Sequence, residues 1–268
     1  MKLNLSHILL GFILLSHSLL ALSFTLTSAN RGFEDNKIDI YIAGNDCSNA
    51  GFTTSEYKTM IEDAVKFYWN DVSTSSLEIS VKDIDASIDI TNDTHESGLS
   101  KVPANSILAG CNGLVANGFN DGSILGSAVL RCSGSTCRAI LILNAHANSY
   151  LKTYSTSRVE AVIAHEIGHA LGLGHSEHRF NLMFYSIDGK NQEWLGLDDI
   201  QGISYLYPHE ASADFLNIPL SGSCGTIDLD GEHNKPNFLG SALLGLGLFI
   251  MLYMMQFFTK PLIRFLRN

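Results

Sequence analysis

VIAHEIGHALGLGHS, residues 162–176, is the stretch whose reading decides the fold and the chemistry of this chain. His165 and His169 stand four apart, so on a helix both imidazoles leave from one face, one turn above the other. That spacing lets two ring nitrogens reach a single zinc ion at about 2.0–2.1 Å. Glu166 is rotated off the histidine line toward the open side of such a metal, where a carboxylate can take a proton from water. Gly172 can end the helix with a positive φ because it carries no Cβ. The reversed chain then delivers His175 as a third ligand. Three protein ligands leave one position open, which marks a catalytic rather than a closed structural zinc site. HExxH alone is a modest signal, but HExxHxxGxxH fixes five positions, all matched here. Upstream, Ser157 followed by Glu160 reads as a capping box that opens the helix.

Working outward, the region 24–208 mixes strands and helices. Ile38 to Ala43 reads as a strand before a Gly-Asn-Asp turn. From Thr54 to Val72, Met60, Ile61, Val65, Phe67, Tyr68 and Trp69 fall near helical spacing and predict one long amphipathic helix. Leu77 to Ile90 alternates like a strand. Ser123 to Arg131 and Arg138 to Asn144 are β-branched, apolar runs joined by CSGSTC, a tight connection. His146 is expected to be a surface or core histidine rather than a ligand.

AHEIGHALGLGHS resembles the active-site segment of the matrixins, a branch of the metzincin zinc peptidases. Met183 in NLMFYS sits where metzincins place a methionine in a tight turn beneath the metal. LGLDDIQGISYLYP, with Asp198, Asp199 and Tyr207, is similar to the C-terminal helix of matrixin catalytic domains. The resemblance implies an α/β zincin fold, with a twisted, mostly parallel sheet, one antiparallel edge strand near Gly126 to Arg131 and three helices. It also implies a zinc endopeptidase with one catalytic ion on His165, His169 and His175, Glu166 as general base, and an extended protein or peptide substrate lying along the edge strand. Residues from Ser186 to Trp194 would shape the specificity pocket. The chain also departs from the family. It shows no cysteine-switch motif, no histidines for a second zinc upstream of the active helix, and nothing that supports calcium. Tyr185, two residues after Met183, is more like astacins and serralysins, where a tyrosine approaches the metal and stabilises the oxyanion; the other reading is a packed core tyrosine.

The two ends are apolar. Residues 1–23 have the order of a secretory signal peptide, with one lysine, an apolar run from Ile8 to Leu22, and small residues at Ala21 and Ser23. An uncleaved membrane anchor is the alternative. Residues 209–237 read as a Gly-, Ser- and Asn-rich stalk. Phe238 to Phe258 carries no charge and has the length of a membrane-spanning helix. Lys260, Arg264 and Arg267 in the tail 259–268 would stay cytoplasmic, leaving the bulk of the chain on the other side of the bilayer. A buried helix or a sorting tail cut after export are the other readings. A net charge of -10 with no basic stripe in the central region argues against a nucleic-acid partner. Five cysteines in an exported chain predict disulfides, with Cys132–Cys137 and Cys47–Cys111 as the pairs and Cys224 left over.

Overall fold

A computed structural model of the chain describes residues 24–186 and 194–209. The expected signal peptide, membrane helix and basic tail lie outside the described residues, as do Cys224 and all of the stalk after His209. Among the described residues no helix is long and apolar enough to cross a membrane.

The first strand, β1 (Lys37–Ala43), alternates as the sequence predicts, with Ile38, Ile40 and Ile42 buried on one face. Helix α1 (Thr54–Ala64) follows and runs directly into a π turn over Val65–Trp69. There the Asn70 N–H donates to the Val65 carbonyl five residues back, at 2.9 Å. One uninterrupted helix to Val72 is therefore corrected. The extra residue in the turn buries Tyr68 and Trp69 and leaves Phe67 outside the core, 62% exposed. Strand β2 (Glu78–Asp85) stops short of the expected Ile90. Asp85 Oδ1 accepts from the Ser87 N–H at 2.9 Å and turns the chain, so Ile90 reaches the opposite face of the sheet. A single-turn helix, α2 (His95–Leu99), is capped by Thr94. Strands β3 (Ser106–Asn112), β4 (Gly126–Ser133) and β5 (Thr136–Asn144) complete the sheet. The active helix is α3 (Thr156–Leu171), and α4 (Leu197–Leu206) closes the domain.

The strand order is β2-β1-β3-β5-β4, with every pair parallel except β4–β5. A mostly parallel sheet with one antiparallel terminal strand matches the expected layout. The two central strands β3 and β5 are buried on both faces, as parallel strands covered from both sides must be. Ile107, Leu141, Trp69, Ile163 and Ile167 share the larger core, which the sheet forms with α1 and α3. Leu108, Ile140, Ile142 and Phe119 alternate to a smaller core on the other face. The β4–β5 hairpin turns through Gly134 and Ser135. Gly134 has φ 59°, a backbone conformation that glycine enters readily because it carries no Cβ.

Both predicted disulfides are present. Cys132–Cys137 joins directly opposed residues of the hairpin, and Cys47–Cys111 ties the turn before α1 to β3. The Ser157–Glu160 capping box is not. Ser155 is the cap, with extended φ and ψ of -67° and 158° and no side-chain cap hydrogen bond, and Ser157 lies inside the first turn. Thr156 at the next position starts the helix two residues earlier than that box allows.

A candidate metal centre

Helix α3 carries His165, Glu166 and His169, and its end is set by Gly172. That residue has φ 113°, and a Cβ on it would lie 2.6 Å from the Arg31 carbonyl oxygen, so only glycine fits. The chain then reverses and is held by the segment just after residue 23. The Thr27 N–H donates to the Gly172 carbonyl at 2.9 Å and the Gly174 N–H to the Thr25 carbonyl at 2.8 Å. Thr25 Oγ1 donates to the His175 carbonyl at 2.6 Å. No sequence signal marked these two threonines, because their partners lie about 150 residues away.

The three imidazoles converge. Their ligand nitrogens all lie within 4.8 Å of one another, and His169 Nε2 and His175 Nε2 are 3.1 Å apart. Two of the rings are oriented from behind: His165 Nδ1 meets the Leu182 carbonyl at 2.8 Å and His169 Nδ1 the Leu173 carbonyl at 2.7 Å. A carbonyl only accepts, so in the neutral rings both Nδ1 atoms carry the proton and Nε2 is the unprotonated nitrogen, the one that can ligate a metal. Ligand nitrogens about 2.05 Å from a tetrahedral zinc are roughly 3.3 Å from each other. His169 and His175 stand near that separation, and three imidazoles, two with fixed tautomers, are a donor set that fits a zinc ion. Burial pushes the His169 pKa down to about 4 and lowers that of His175, which keeps both in the neutral form a metal needs.

Glu166 is 6% exposed, and its Oε2 is buried without a hydrogen-bond partner among the described residues. Burial pushes the carboxyl up to about 8. A divalent cation held by the adjacent imidazoles would act in the opposite direction. A Cβ built on Gly126, the first residue of β4, would lie 3.0 Å from Glu166 Oε1, so this carboxylate oxygen looks toward the rim strand. The site opens into a cleft of about 690 Å³ between that rim and α3. Gly126, Val162, Tyr154 and Tyr185 line it with the histidines and Glu166.

Met183 lies beneath the site, 2% exposed. Its sulfur leaves no room on α3 at residue 168, where a Cβ would be 2.4 Å from Met183 Sδ and 3.0 Å from the Trp69 ring. Gly168, between the two histidines, lets the methionine turn and the π turn close on the same helix face. Trp69 Nε1 donates to the Ala164 carbonyl at 3.0 Å, a contact that helical periodicity did not disclose. The methionine turn is held by Asp199, which accepts from the backbone N–H groups of Leu182, Met183 and Gly196 at 2.6, 3.0 and 2.7 Å. Asp198 accepts from Ser176 Oγ and Asn181 Nδ2, both at 2.7 Å. Tyr207 joins the segment before β1 to the end of α3: its hydroxyl accepts from the Phe33 N–H and donates to the Leu171 carbonyl. Tyr185 is 70% exposed, with its ring centroid 6.5 Å from that of His175. The packed-core reading of this tyrosine is thereby excluded. His146 stands apart from the three imidazoles, its Nδ1 accepting from the Asn148 N–H. Residues 187–193 of the expected specificity segment lie outside the described residues.

Residues 33–208 match the matrixin family. Metalloendoproteinase 2-MMP of Arabidopsis thaliana is 40% identical over 67 residues, which is 25% of this chain and 18% of that protein. Metalloendoproteinase 1-MMP of the same plant is 34% identical over 98 residues, 35% of this chain and 26% of its own length. Human matrix metalloproteinase-26 is 36% identical over 95 residues, 35% of each chain. The aligned stretches thus span between about a fifth and a third of these relatives. The family match itself runs from the loop before β1 to the residue after Tyr207 and takes in the whole sheet, the three histidines and the methionine turn, so the chain belongs to the matrixin family.

Proposed function

We propose that the chain is an exported, membrane-tethered zinc endopeptidase. The observation that carries this reading is the set of three converging imidazoles, two with fixed tautomers, beside a buried carboxylate in an open cleft. His165, His169 and His175 would hold a zinc ion, which when bound supplies Lewis acidity toward a scissile carbonyl and acidifies the attacking water. Glu166 takes the proton as the water oxygen bonds to the carbonyl carbon. It then delivers that proton to the amine nitrogen as the C–N bond breaks. The raised proton affinity of the buried carboxyl suits a group that must carry a proton between two atoms.

The substrate lies extended against β4, the terminal strand, adding backbone hydrogen bonds to the sheet. Tyr185, exposed at the cleft, donates its hydroxyl to the developing oxyanion, and Met183 supports the histidine floor. One zinc ion is expected, on the cluster that His165, His169 and His175 form. The chain is organised as signal peptide 1–23, peptidase domain 24–208, stalk 209–237, membrane helix 238–258 and basic tail 259–268. This places the catalytic domain on the non-cytoplasmic side of the bilayer.

The test is cleavage of a mixed peptide library by the purified protein beside Glu166→Ala, with zinc measured on both. Cleavage by the first alone, with about one zinc in each, is the expected result. Loss of the base should cost on the order of 10²–10⁴-fold in kcat. If both bind zinc and neither cuts any peptide, the endopeptidase reading fails.

A further inference from the structure

The three candidate ligands are not held alike. His165 and His169 stand on α3, and each has a backbone carbonyl behind its Nδ1. His175 is exposed and stands outside any helix, on the reversed segment that Gly172 begins. Among the described residues no carbonyl meets its Nδ1, so its ring is placed through its own backbone.

That backbone is gripped from two sides. On one, the Ser176 N–H donates to the Met183 carbonyl at 2.8 Å and ties the segment to the methionine turn. On the other lies the strap of residues 25–27. Leu26 and Leu173 form an antiparallel bridge, flanked by the Thr27 N–H on the Gly172 carbonyl and the Gly174 N–H on the Thr25 carbonyl. The approach is close: a Cβ on Gly174 would lie 2.8 Å from the Leu26 carbonyl oxygen. This backbone pairing stops at Gly174, one residue short of the ligand. Thr25 Oγ1 then donates to the His175 carbonyl at 2.6 Å and carries the grip onto the ligand itself.

We propose that Thr25 is a positioning residue for the third metal ligand: its hydroxyl fixes the His175 backbone, so that this imidazole stands in place beside His165 and His169 before a metal arrives. The inference rests on the three histidines holding zinc. A ligand on an unheld segment must be ordered when the ion binds, and the lost entropy weakens binding; a ligand held beforehand avoids that cost. His165 and His169 are ordered by their helix, so the cost falls on His175 alone. Thr25 is not among the residues that line the cleft, whereas Thr27 is, so the Thr25 hydroxyl has no contact with substrate to confuse with this role.

The experiment measures the zinc affinity of the full-length protein, by competition with a chromophoric chelator, for wild type, Thr25→Val, Thr25→Ser and Thr54→Val. Valine keeps the shape of threonine without the hydroxyl, and serine keeps the hydroxyl. Thr25 is exposed, so neither change disturbs the core. Thr54 is the control: its hydroxyl also donates to a distant backbone carbonyl, that of Asn45 at 2.9 Å, at the start of α1. Losing a group that orients a metal ligand costs about 10- to 100-fold in affinity. Water can replace the lost donor at the exposed His175, which puts the expected effect at the lower end. Thr25→Val should bind zinc about tenfold more weakly, with Thr25→Ser and Thr54→Val within about twofold of wild type. Wild-type affinity in Thr25→Val overturns the inference, as does an equal loss in Thr54→Val or a loss that serine does not restore. If the protein holds zinc yet cuts no peptide, the endopeptidase reading fails by itself, and the affinities still decide this one. A wild-type protein that holds no zinc overturns the ligand assignment and this inference with it.

Discussion

Asp199 accepts three backbone protons, from Leu182, Met183 and Gly196, and all three donors are in the turn beneath the histidines or at the start of α4. The Leu182 carbonyl in turn orients His165, so the carboxylate acts on the metal centre through the backbone. Asp199→Ala would strand three donors in the core. It is expected to cost about 3 kcal/mol or more and to lower zinc occupancy, readable as a shifted urea midpoint and by atomic absorption. Gly168 makes the opposite kind of demand. Alanine there gains up to about 1 kcal/mol of helix propensity. Its Cβ would nevertheless overlap Met183 Sδ at 2.4 Å, and the overpacking should win by about 1–3 kcal/mol. A melting temperature at or above wild type for Gly168→Ala would refute that ordering. Tyr185, by contrast, is exposed beside His175, so Tyr185→Phe should leave the melting curve where it is and lower kcat alone.

The two disulfides staple elements at very different chain distances. Cys47–Cys111 spans 64 residues and Cys132–Cys137 only 5. Loop-closure entropy makes the long link worth about 4 kcal/mol and the short one about 2. Replacing each pair with serine and comparing urea midpoints should reproduce that order, and equal losses would show that strain or denatured-state structure dominates. The long link also secures the turn that launches α1. At α2, His95 opens the helix with its Nε2 buried and unpartnered among the described residues. Burial lowers its pKa, so the folded state binds fewer protons than the unfolded chain. Its contribution is complete above the unfolded value near 6.5 and is lost as pH falls below it. His95→Gln should therefore flatten the decline in urea midpoint between about pH 7 and 5, measured against wild type.

For the molecule as a whole, the metal centre is where distant segments meet: α3, the reversed segment 172–175, the methionine turn and the strap of residues 25–27 all converge on it. Chelation is expected to abolish cleavage and lower the melting temperature together, and added zinc should restore both; activity that survives full zinc removal would refute the reading. Much of this was legible beforehand. The spacing of His165, His169 and His175, the glycine that ends the helix, the alternation of β1 and the close Cys132–Cys137 pair are local or short-period signals, and each has one cheap structural solution. The resemblance to matrixins supplied the mostly parallel sheet with its antiparallel edge strand, which no single strand encodes, and the strand order came only with the structure. What only the tertiary structure decided lies in contacts between distant residues: Asp199 on the methionine turn, Trp69 on Ala164, Thr25 on His175. The π turn and the cap at Ser155 belong with them. Ser157 with Glu160 satisfied a local pattern as well as Ser155 did, and continuous helix suited Val65 to Val72. Packing against the rest of the fold selected between alternatives that differ little in local energy, and a linear sequence does not display that packing.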